Sequence, residues 1–478
     1  MNKPAFFSMT VIILMMTLLF ANHATAQVKN QGIMPLTGKW MGQLQSLRII
    51  FNVITQGDSA VVTLDSPDQG VKGIPVTSYL FKDDTVVFEV ASIGGRYAGL
   101  YYPDNNTIDG VWYQSGFEFP LVLSRNAEYQ GPARPQEPHP PFPYLSEDVT
   151  FKNEAAAVTL AGTLTLPEQG APFTAVILVT GSGPQNRDEE ILGHKPFLVI
   201  ADYLTRQGIA VLRYDDRGVG KSTGDYATAT TGDFASDAEA AFEYLKTDKR
   251  INPDKIGIIG HSEGAMIAPM VAASHPDVAF IVMLAAAGLS GEETLIVQSE
   301  KILKASGASA DYIRKAVRFN KKVYAIAMGT QDREQTAAKL KKAYADFTRK
   351  MPEQEKNQMG FSDYMVEASI RQLLNPWMRY FLKLNITGYL KKTRCPVLIM
   401  NGSKDLQVPP EDNIPPLEAA LKEGGNTDYK IVILPGLNHL FQPAKTGSPQ
   451  EYAGIDETFS PQALQIMVDW IKEKTGMK

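Results

Sequence analysis

The chain has 478 residues, 44% of them hydrophobic and 21% charged, with a formal net charge of −5. That length corresponds to about two or three domains with ordinary cores. The charge is mild and mixed, with no long run of one sign, so a nucleic-acid partner is excluded for want of an electrostatic footprint.

The amino terminus reads as an export signal. Lys3 precedes an apolar stretch over 11–20, and Ala24-Thr25-Ala26 follows as a small-x-small cleavage site, so 1–26 is expected to be a secretory signal peptide removed before Gln27. A membrane anchor is the alternative, but the apolar run is shorter than the roughly 18–20 residues a spanning helix needs. The mature protein is therefore expected to be periplasmic or secreted, without a membrane span. The single cysteine, Cys395, cannot close an internal disulfide. Between Arg394 and the apolar run 396–400 it reads as a small buried residue at a strand start, with no partner motif that would make it reactive.

Residues 27–125 carry short period-two runs at 47–54, 60–64, 85–90, 97–102 and 117–123, rich in β-branched and aromatic side chains. Turn clusters such as Lys82-Asp83-Asp84 and Asp104-Asn105-Asn106 separate them. The pattern predicts a small antiparallel β-barrel or sandwich. Its opening Gly38-Lys39-Trp40-Met41-Gly42 resembles the first strand of lipocalin-like barrels. The proline-dense segment 126–144 follows, and predicts a semi-rigid linker.

From 145 to 478 the texture changes. Apolar runs at 175–179, 209–212, 256–259, 279–284, 397–400 and 430–434 alternate with amphipathic stretches at 195–206, 233–246 and 461–474. Continuous apolar strands with helical crossovers predict a doubly wound, mostly parallel α/β sheet covered on both faces. One gap breaks the alternation: 288–392 shows helical patterns and no strand, far longer than the roughly 2–6 residues of an ordinary connection. A helical lid at about 289–392 is the expected explanation.

Gly260-His261-Ser262-Glu263-Gly264 sits between the strand-like 256–259 and the helical 265–273. In G-x-S-x-G on a strand-turn-helix, the turn is too tight for side chains at the glycines and presents the serine at the top of the sheet. A serine that merely capped the helix would leave both glycines unexplained. A serine hydroxyl needs a base to take its proton. Of the six histidines, His23 leaves with the signal peptide, His139 lies in the linker, and His194 and His275 precede any late acid. His261 adjoins the serine, where the turn should direct its ring away. His439, in the loop after 430–434, remains as the base. Asp405 ends the strand-like 397–400 and its polar loop, one strand earlier, and suits the acid that orients the imidazole. Its nearest rivals, Glu411 and Asp412, lie beyond two prolines. An oxyanion needs backbone donors. The N–H of Glu263 is one candidate, and Thr180-Gly181-Ser182-Gly183-Pro184 supplies the second, with Ser182 favoured over Gly183. Gly220-Lys221-Ser222 imitates the end of a phosphate loop, but aspartate stands at 215 where that motif needs glycine, so nucleotide binding is rejected and Arg217-Gly218 reads as a structural turn near the rim.

Together, Gly181-Ser182-Gly183-Pro184, Asp216-Arg217-Gly218-Val219-Gly220-Lys221-Ser222, the serine motif, Asn401-Gly402-Ser403-Lys404-Asp405 and Asn438-His439 resemble the α/β-hydrolase superfamily, from about 145 to the end. The set is most similar to bacterial carboxylesterases and their serine aminopeptidase and prolyl oligopeptidase-like relatives. The resemblance implies a Ser262/Asp405/His439 triad and an acyl-enzyme mechanism on small-molecule esters or short peptides, with no metal and no cofactor. Thr180-Gly181 stands where many lipases have His-Gly. The expected activity is cleavage of small or medium acyl esters. An exported peptidase is the alternative, its amine-binding carboxylate sought among Glu353, Glu355, Asp363 and Glu367. A ligand-binding protein with a degenerate hydrolase domain is a third reading, which the intact triad opposes. The aromatic and methionine residues of the lid, among them Met359, Phe361, Tyr364, Met365, Trp377, Met378, Tyr380 and Phe381, are expected to contribute to an acyl pocket.

Overall fold

The computed structural model describes residues 28–29, 33–44, 47–56, 59–67, 71–114, 117–125, 133–329, 332–352, 356, 361 and 363–477. The expected signal peptide and 126–132 of the expected linker lie outside the described residues. The chain divides into two compact units, Met1–Gly131 with Asp332–Gln372, and Pro132–Gln331 with Leu373–Lys478.

In the first unit the turn-separated runs become strands β1 (Val28–Lys29), β2 (Gly38–Leu44), β3 (Leu47–Gln56), β4 (Ser59–Ser66), β5 (Val71–Pro75), β6 (Ser78–Lys82), β7 (Thr85–Val90), β8 (Gly95–Tyr102), β9 (Thr107–Gln114) and β10 (Phe117–Ser124). They form one antiparallel sheet in the order β1-β4-β3-β2-β10-β9-β8-β7-β6, with β5 on β4. Strand β2 pairs with β10, as barrel closure requires, while no ladder joins β5 to β6 among the described residues. Alternation is clear in β7, where Val86, Phe88 and Val90 are buried. They pack with Trp40, Phe51, Tyr97 and Trp112, the Phe51 ring centroid lying 4.6 Å from Phe88 and 5.8 Å from Tyr97. Each such side chain contributes roughly 1.5–3 kcal/mol of burial.

The second unit opens with a hairpin that the sequence pattern did not single out, β11 (Leu145–Asn153) and β12 (Val158–Leu166). Strands β13 (Phe173–Val179), β14 (Ala210–Tyr214), β15 (Ile251–His261), β16 (Phe280–Leu284), β17 (Val397–Gly402) and β18 (Tyr429–Leu434) follow. The sheet order is β11-β12-β14-β13-β15-β16-β17-β18, parallel from β14 to β18. The chain winds outward from β13 first to β14 and then, on the other side, to β15. The carboxyl ends of β13 and β15 thus flank the switch point where α/β sheets place their ligands.

Helices α1 (Pro196–Arg206), α2 (Thr231–Thr247) and α3 (Glu263–Ser274) are crossovers. Thr230 and Asp233 start α2 with a reciprocal capping box, satisfying two otherwise orphaned backbone donors. Between β16 and β17 the described residues form only helices: α4 (Gly291–Ala305), α5 (Ala310–Ala327), α6 (Arg333–Thr348), α7 (Asp363–Leu373), α8 (Pro376–Phe381) and α9 (Thr387–Leu390). Of these, α6 and all of α7 but its last residue belong to the first unit, and helices α10 (Pro410–Glu423) and α11 (Pro461–Thr475) complete the second. One core face joins β13, β16 and β17 to α1 and α11, with Phe280 edge-on to Trp470 at 5.9 Å. No helix among the described residues is long and apolar enough to cross a membrane.

The last part of the expected linker is anchored in this second unit. Arg134 donates to the carbonyls of Leu192, Gly193, Ala453 and Ile455 at 2.6–3.2 Å. Gln136 Oε1 accepts from the N–H groups of Thr458 and Phe459. Proline density stiffens this segment, and its two long polar side chains decide what it rests on.

Candidate active site

The serine turn is as tight as its glycines suggest. A Cβ on Gly260 would lie 2.0 Å from the Gly264 carbonyl oxygen, and one on Gly264 would lie 2.0 Å from that of Val179. Between them Ser262 is held at φ 53° and ψ −110°, outside the favoured regions for a residue with a side chain. Its N–H donates to Leu284 O at 2.8 Å, which fastens the strained residue to the end of β16. Ser262 is half-buried, and α3 begins at the next residue.

Asp405 follows β17 and is buried. Its Oδ1 accepts from the N–H groups of Gln407 and Val408, both at 2.8 Å, which fixes the carboxylate plane. Its Oδ2 lies 2.8 Å from His439 Nδ1. That contact puts the His439 proton on Nδ1 and leaves Nε2 with its lone pair. His439 sits in the loop after β18, shaped by Asn438, whose Oδ1 accepts from the N–H groups of Leu440 and Gln442. Asp405 and His439 are thus brought together, while no hydrogen bond joins Ser262 Oγ to the His439 ring among the described residues. Such bonds are commonly long before substrate binds. The rival acids Glu411 and Asp412 face Lys301 instead.

The loop after β13 passes close to the serine. A Cβ on Gly181 would stand 3.4 Å from both Ser262 Cβ and His261 Nδ1. The Gly181 N–H is already taken by Glu189 Oε1 at 2.6 Å, and that of Gly183 interacts with the Tyr226 hydroxyl. Ser182, between them, is exposed. Glu263, whose N–H opens α3, has a buried carboxyl that accepts from Thr231 Oγ1 at 2.6 Å and from Trp377 Nε1 at 2.7 Å. Burial pushes this carboxyl up to about 7, against the lowering effect of its two donors. Asp216 is buried too and is raised well above the ordinary carboxylate range, although Gln185 N–H and Thr180 Oγ1 donate to it.

The His261 ring makes no hydrogen bond to Ser262 among the described residues and turns to other partners. Its ring is not idle: it bonds Glu189 and the main chain of His439, and its centroid lies 4.9 Å from that of His439. Arg217 is buried against Asp237 and Asp233, a structural turn as expected. Asp215, in the segment that imitates a phosphate loop, instead accepts from Arg187 through both carboxylate oxygens. Cys395 is half-buried rather than buried, and burial pushes its thiol up to about 12, which disfavours the thiolate form. Among the residues of the expected lid, Trp377 reaches Glu263 and stacks on Phe381 at 5.0 Å. Phe361 packs near Tyr344 and Phe347 in the first unit. Met359, Glu353 and Glu355 and the Tyr364 side chain lie outside the described residues. Sequence reasoning missed Glu189 and the bond from Trp377 to Glu263. Only the charge-dense Arg187-Asp188-Glu189-Glu190, so near a glycine-rich loop, hinted at the first.

The profile of the serine aminopeptidase S33 family of hydrolases matches residues 195–442, just over half of the chain. The chain belongs to this family. The matched span of this S33 family hydrolase holds Ser262, Asp405 and His439, and begins after the loop with Ser182 and Glu189. Esterase EstD of Thermotoga maritima is 28% identical over 317 residues, which cover 65% of this chain and 64% of that protein's own length. Among solved structures, Pyrococcus furiosus esterase Pf2001 shares 18% identity at TM-score 0.41, covering 69% of this chain and 93% of its own. A Mycobacterium smegmatis proline iminopeptidase shares 16% at TM-score 0.42, covering 69% and 98%. The family membership and the sheet topology give the chain the α/β-hydrolase fold of a serine hydrolase family.

Proposed function

We propose that this hydrolase cleaves carboxylic esters of small or medium acyl groups, with Ser262 as nucleophile, His439 as base and Asp405 as its orienting acid. The observation that carries the reading is the buried Asp405–His439 contact at 2.8 Å, in the same unit as a strained serine turn. In the reaction Ser262 Oγ bonds to the ester carbonyl carbon while its proton passes to His439 Nε2. Asp405 stabilises the resulting imidazolium through Nδ1–H. The oxyanion is held by the N–H groups of Glu263 and Ser182. Collapse breaks the ester C–O bond, His439 returns the proton to the leaving alcohol, and water repeats the sequence on the acyl-enzyme. The likeness to EstD, an esterase by name, supports the ester reading.

The family description favours a second reading, removal of residues from short peptides. A peptidase of that kind needs a free carboxylate for the substrate amine, and Glu367 is already paired with Lys341 at 2.8 Å. Comparing p-nitrophenyl acetate and butyrate with aminoacyl and dipeptidyl anilides tests the proposal; faster anilide turnover would replace it by the peptidase. A ligand-binding role for the amino-terminal sheet is disfavoured by the aromatic side chains that fill its interior. We further propose export with removal of residues 1–26, which amino-terminal sequencing of the secreted or periplasmic protein would check.

A further inference from the structure

Three loops carry the proposed chemistry, and one buried pair touches all of them. Glu189 and the His261 ring are 4% and 7% exposed as side chains, and Glu189 Oε1 lies 2.9 Å from His261 Nδ1. The same oxygen accepts from the Gly181 N–H at 2.6 Å. The other ring nitrogen, Nε2, is 3.0 Å from the main-chain oxygen of His439. Both atoms facing the ring, a carboxylate and a carbonyl oxygen, can only accept. Both ring nitrogens therefore carry protons, and the ring is an imidazolium paired with a carboxylate. Burial alone pushes such a ring toward the neutral form, but the Glu189 charge and hydrogen bond, the His439 carbonyl and the Asp405 charge together outweigh it and leave the net shift upward.

An ion pair withdrawn from water is costly to maintain, so its retention needs a reason beyond stability. The backbone adds a second cost, since Glu189 is held at φ 50°, uncommon for a residue with a side chain. Its neighbours keep it there. Arg187 forms three hydrogen bonds with Asp215, Asp188 pairs with Arg213, and Asn186 Oδ1 accepts from the N–H groups of Asp188 and Glu190.

We infer that Glu189 and His261 are positioning residues: their ion pair fastens the loop of oxyanion donors, through Gly181, to the loop of the base, through His439, by way of the residue preceding the nucleophile. This inference rests on the proposed roles of Ser262 and His439. By occupying the Gly181 N–H, Glu189 leaves Ser182 to supply the second oxyanion donor. Because Gly181 runs so near Ser262 that an added Cβ would stand 3.4 Å from Ser262 Cβ, a small release of this loop changes the distance between donor and nucleophile.

The test uses the full mature protein and p-nitrophenyl butyrate, with every rate expressed per site titrated by a fluorophosphonate, so that a misfolded fraction does not count. Glu189→Gln keeps the shape and an acceptor for both N–H groups but loses the charge, and kcat should fall about 10- to 100-fold with KM nearly unchanged. Glu189→Ala removes the tether, and kcat should fall about 100- to 1,000-fold, the range for loss of one oxyanion donor. Affinity for a trifluoromethyl ketone, which forms an oxyanion on the serine, should fall in step with kcat/KM. Should Glu189→Ala fail to fold, the isosteric variant carries the test. Wild-type protein labelled at Ser262, with kcat per titrated site unchanged in Glu189→Gln, would overturn the positioning role and leave the esterase reading standing. Wild-type protein that the probe does not label at Ser262 would overturn both.

Discussion

Asp405→Asn changes one atom in the buried contact and leaves the surroundings nearly intact. The asparagine oxygen can take the place of Oδ1, keeping the two bonds from Gln407 and Val408 at 2.8 Å, so the loop after β17 should hold its shape. The amide NH2 then faces His439 Nδ1 where Oδ2 stood at 2.8 Å. Two donors cannot share that contact, so the imidazole must turn to the tautomer with its proton on Nε2. That nitrogen is the one required to take the proton from Ser262. With no base and no anion to stabilise the imidazolium, kcat should fall about 10,000-fold, a barrier increase of roughly 5 kcal/mol. Stability should change far less, because no packing volume is lost. Stopped or steady-state hydrolysis of p-nitrophenyl butyrate near neutral pH gives the first quantity, and urea unfolding gives the second. A variant within about 10-fold of wild-type turnover would refute the assignment of Asp405, since the tautomer argument leaves no room for so small a loss.

Other perturbations follow from the same geometry. Glu263 titrates near 7 in the folded protein, above its ordinary value, so the folded state binds this proton more tightly and stability falls as pH rises toward and through 7. Above that range the charged carboxyl costs roughly 3 kcal/mol. Glu263→Gln should recover about that amount in alkaline buffer and little in acid, and equal unfolding energies for the two proteins at both pH values would contradict the buried-carboxyl account. Trp377→Ala should alter relative kcat/KM across p-nitrophenyl esters of increasing acyl length, each gained or lost methylene contact being worth roughly 1–3 kcal/mol. A uniform drop for all chain lengths would make the lid a plain cover. Arg134→Ala removes donors to four carbonyls and should lower the unfolding free energy by about 2 kcal/mol with turnover unchanged, as urea melts and initial rates would show.

The parts of the site that were legible in the sequence are those that local chain geometry defines. Ser262 is bracketed by glycines that only a tight strand-to-helix turn explains, and Asp405 and His439 each follow a short apolar run at the carboxyl end of a strand. Glu189 was not legible, because its meaning lies in Gly181 and His261, and His261 is 72 positions away along the chain. Nothing in the local pattern says which acid of a charged stretch will turn inward. Trp377 reads as one more aromatic in a helical insertion until its indole N–H is seen on Glu263, 114 positions distant. The hairpin of β11 and β12 went unnoticed for another reason. Val158–Leu166 is almost wholly buried, but its threonines, alanine and glycine dilute the apolar run on which the other strands were found.

Ser262 as the nucleophile is tested most directly by covalent trapping. Incubating the mature protein with a fluorophosphonate and mapping its peptides by mass spectrometry should find one adduct, on Ser262, formed in step with the loss of ester hydrolysis and absent from Ser262→Ala. Hydrolysis that persists in Ser262→Ala, or an adduct on another residue that abolishes activity, would contradict the account.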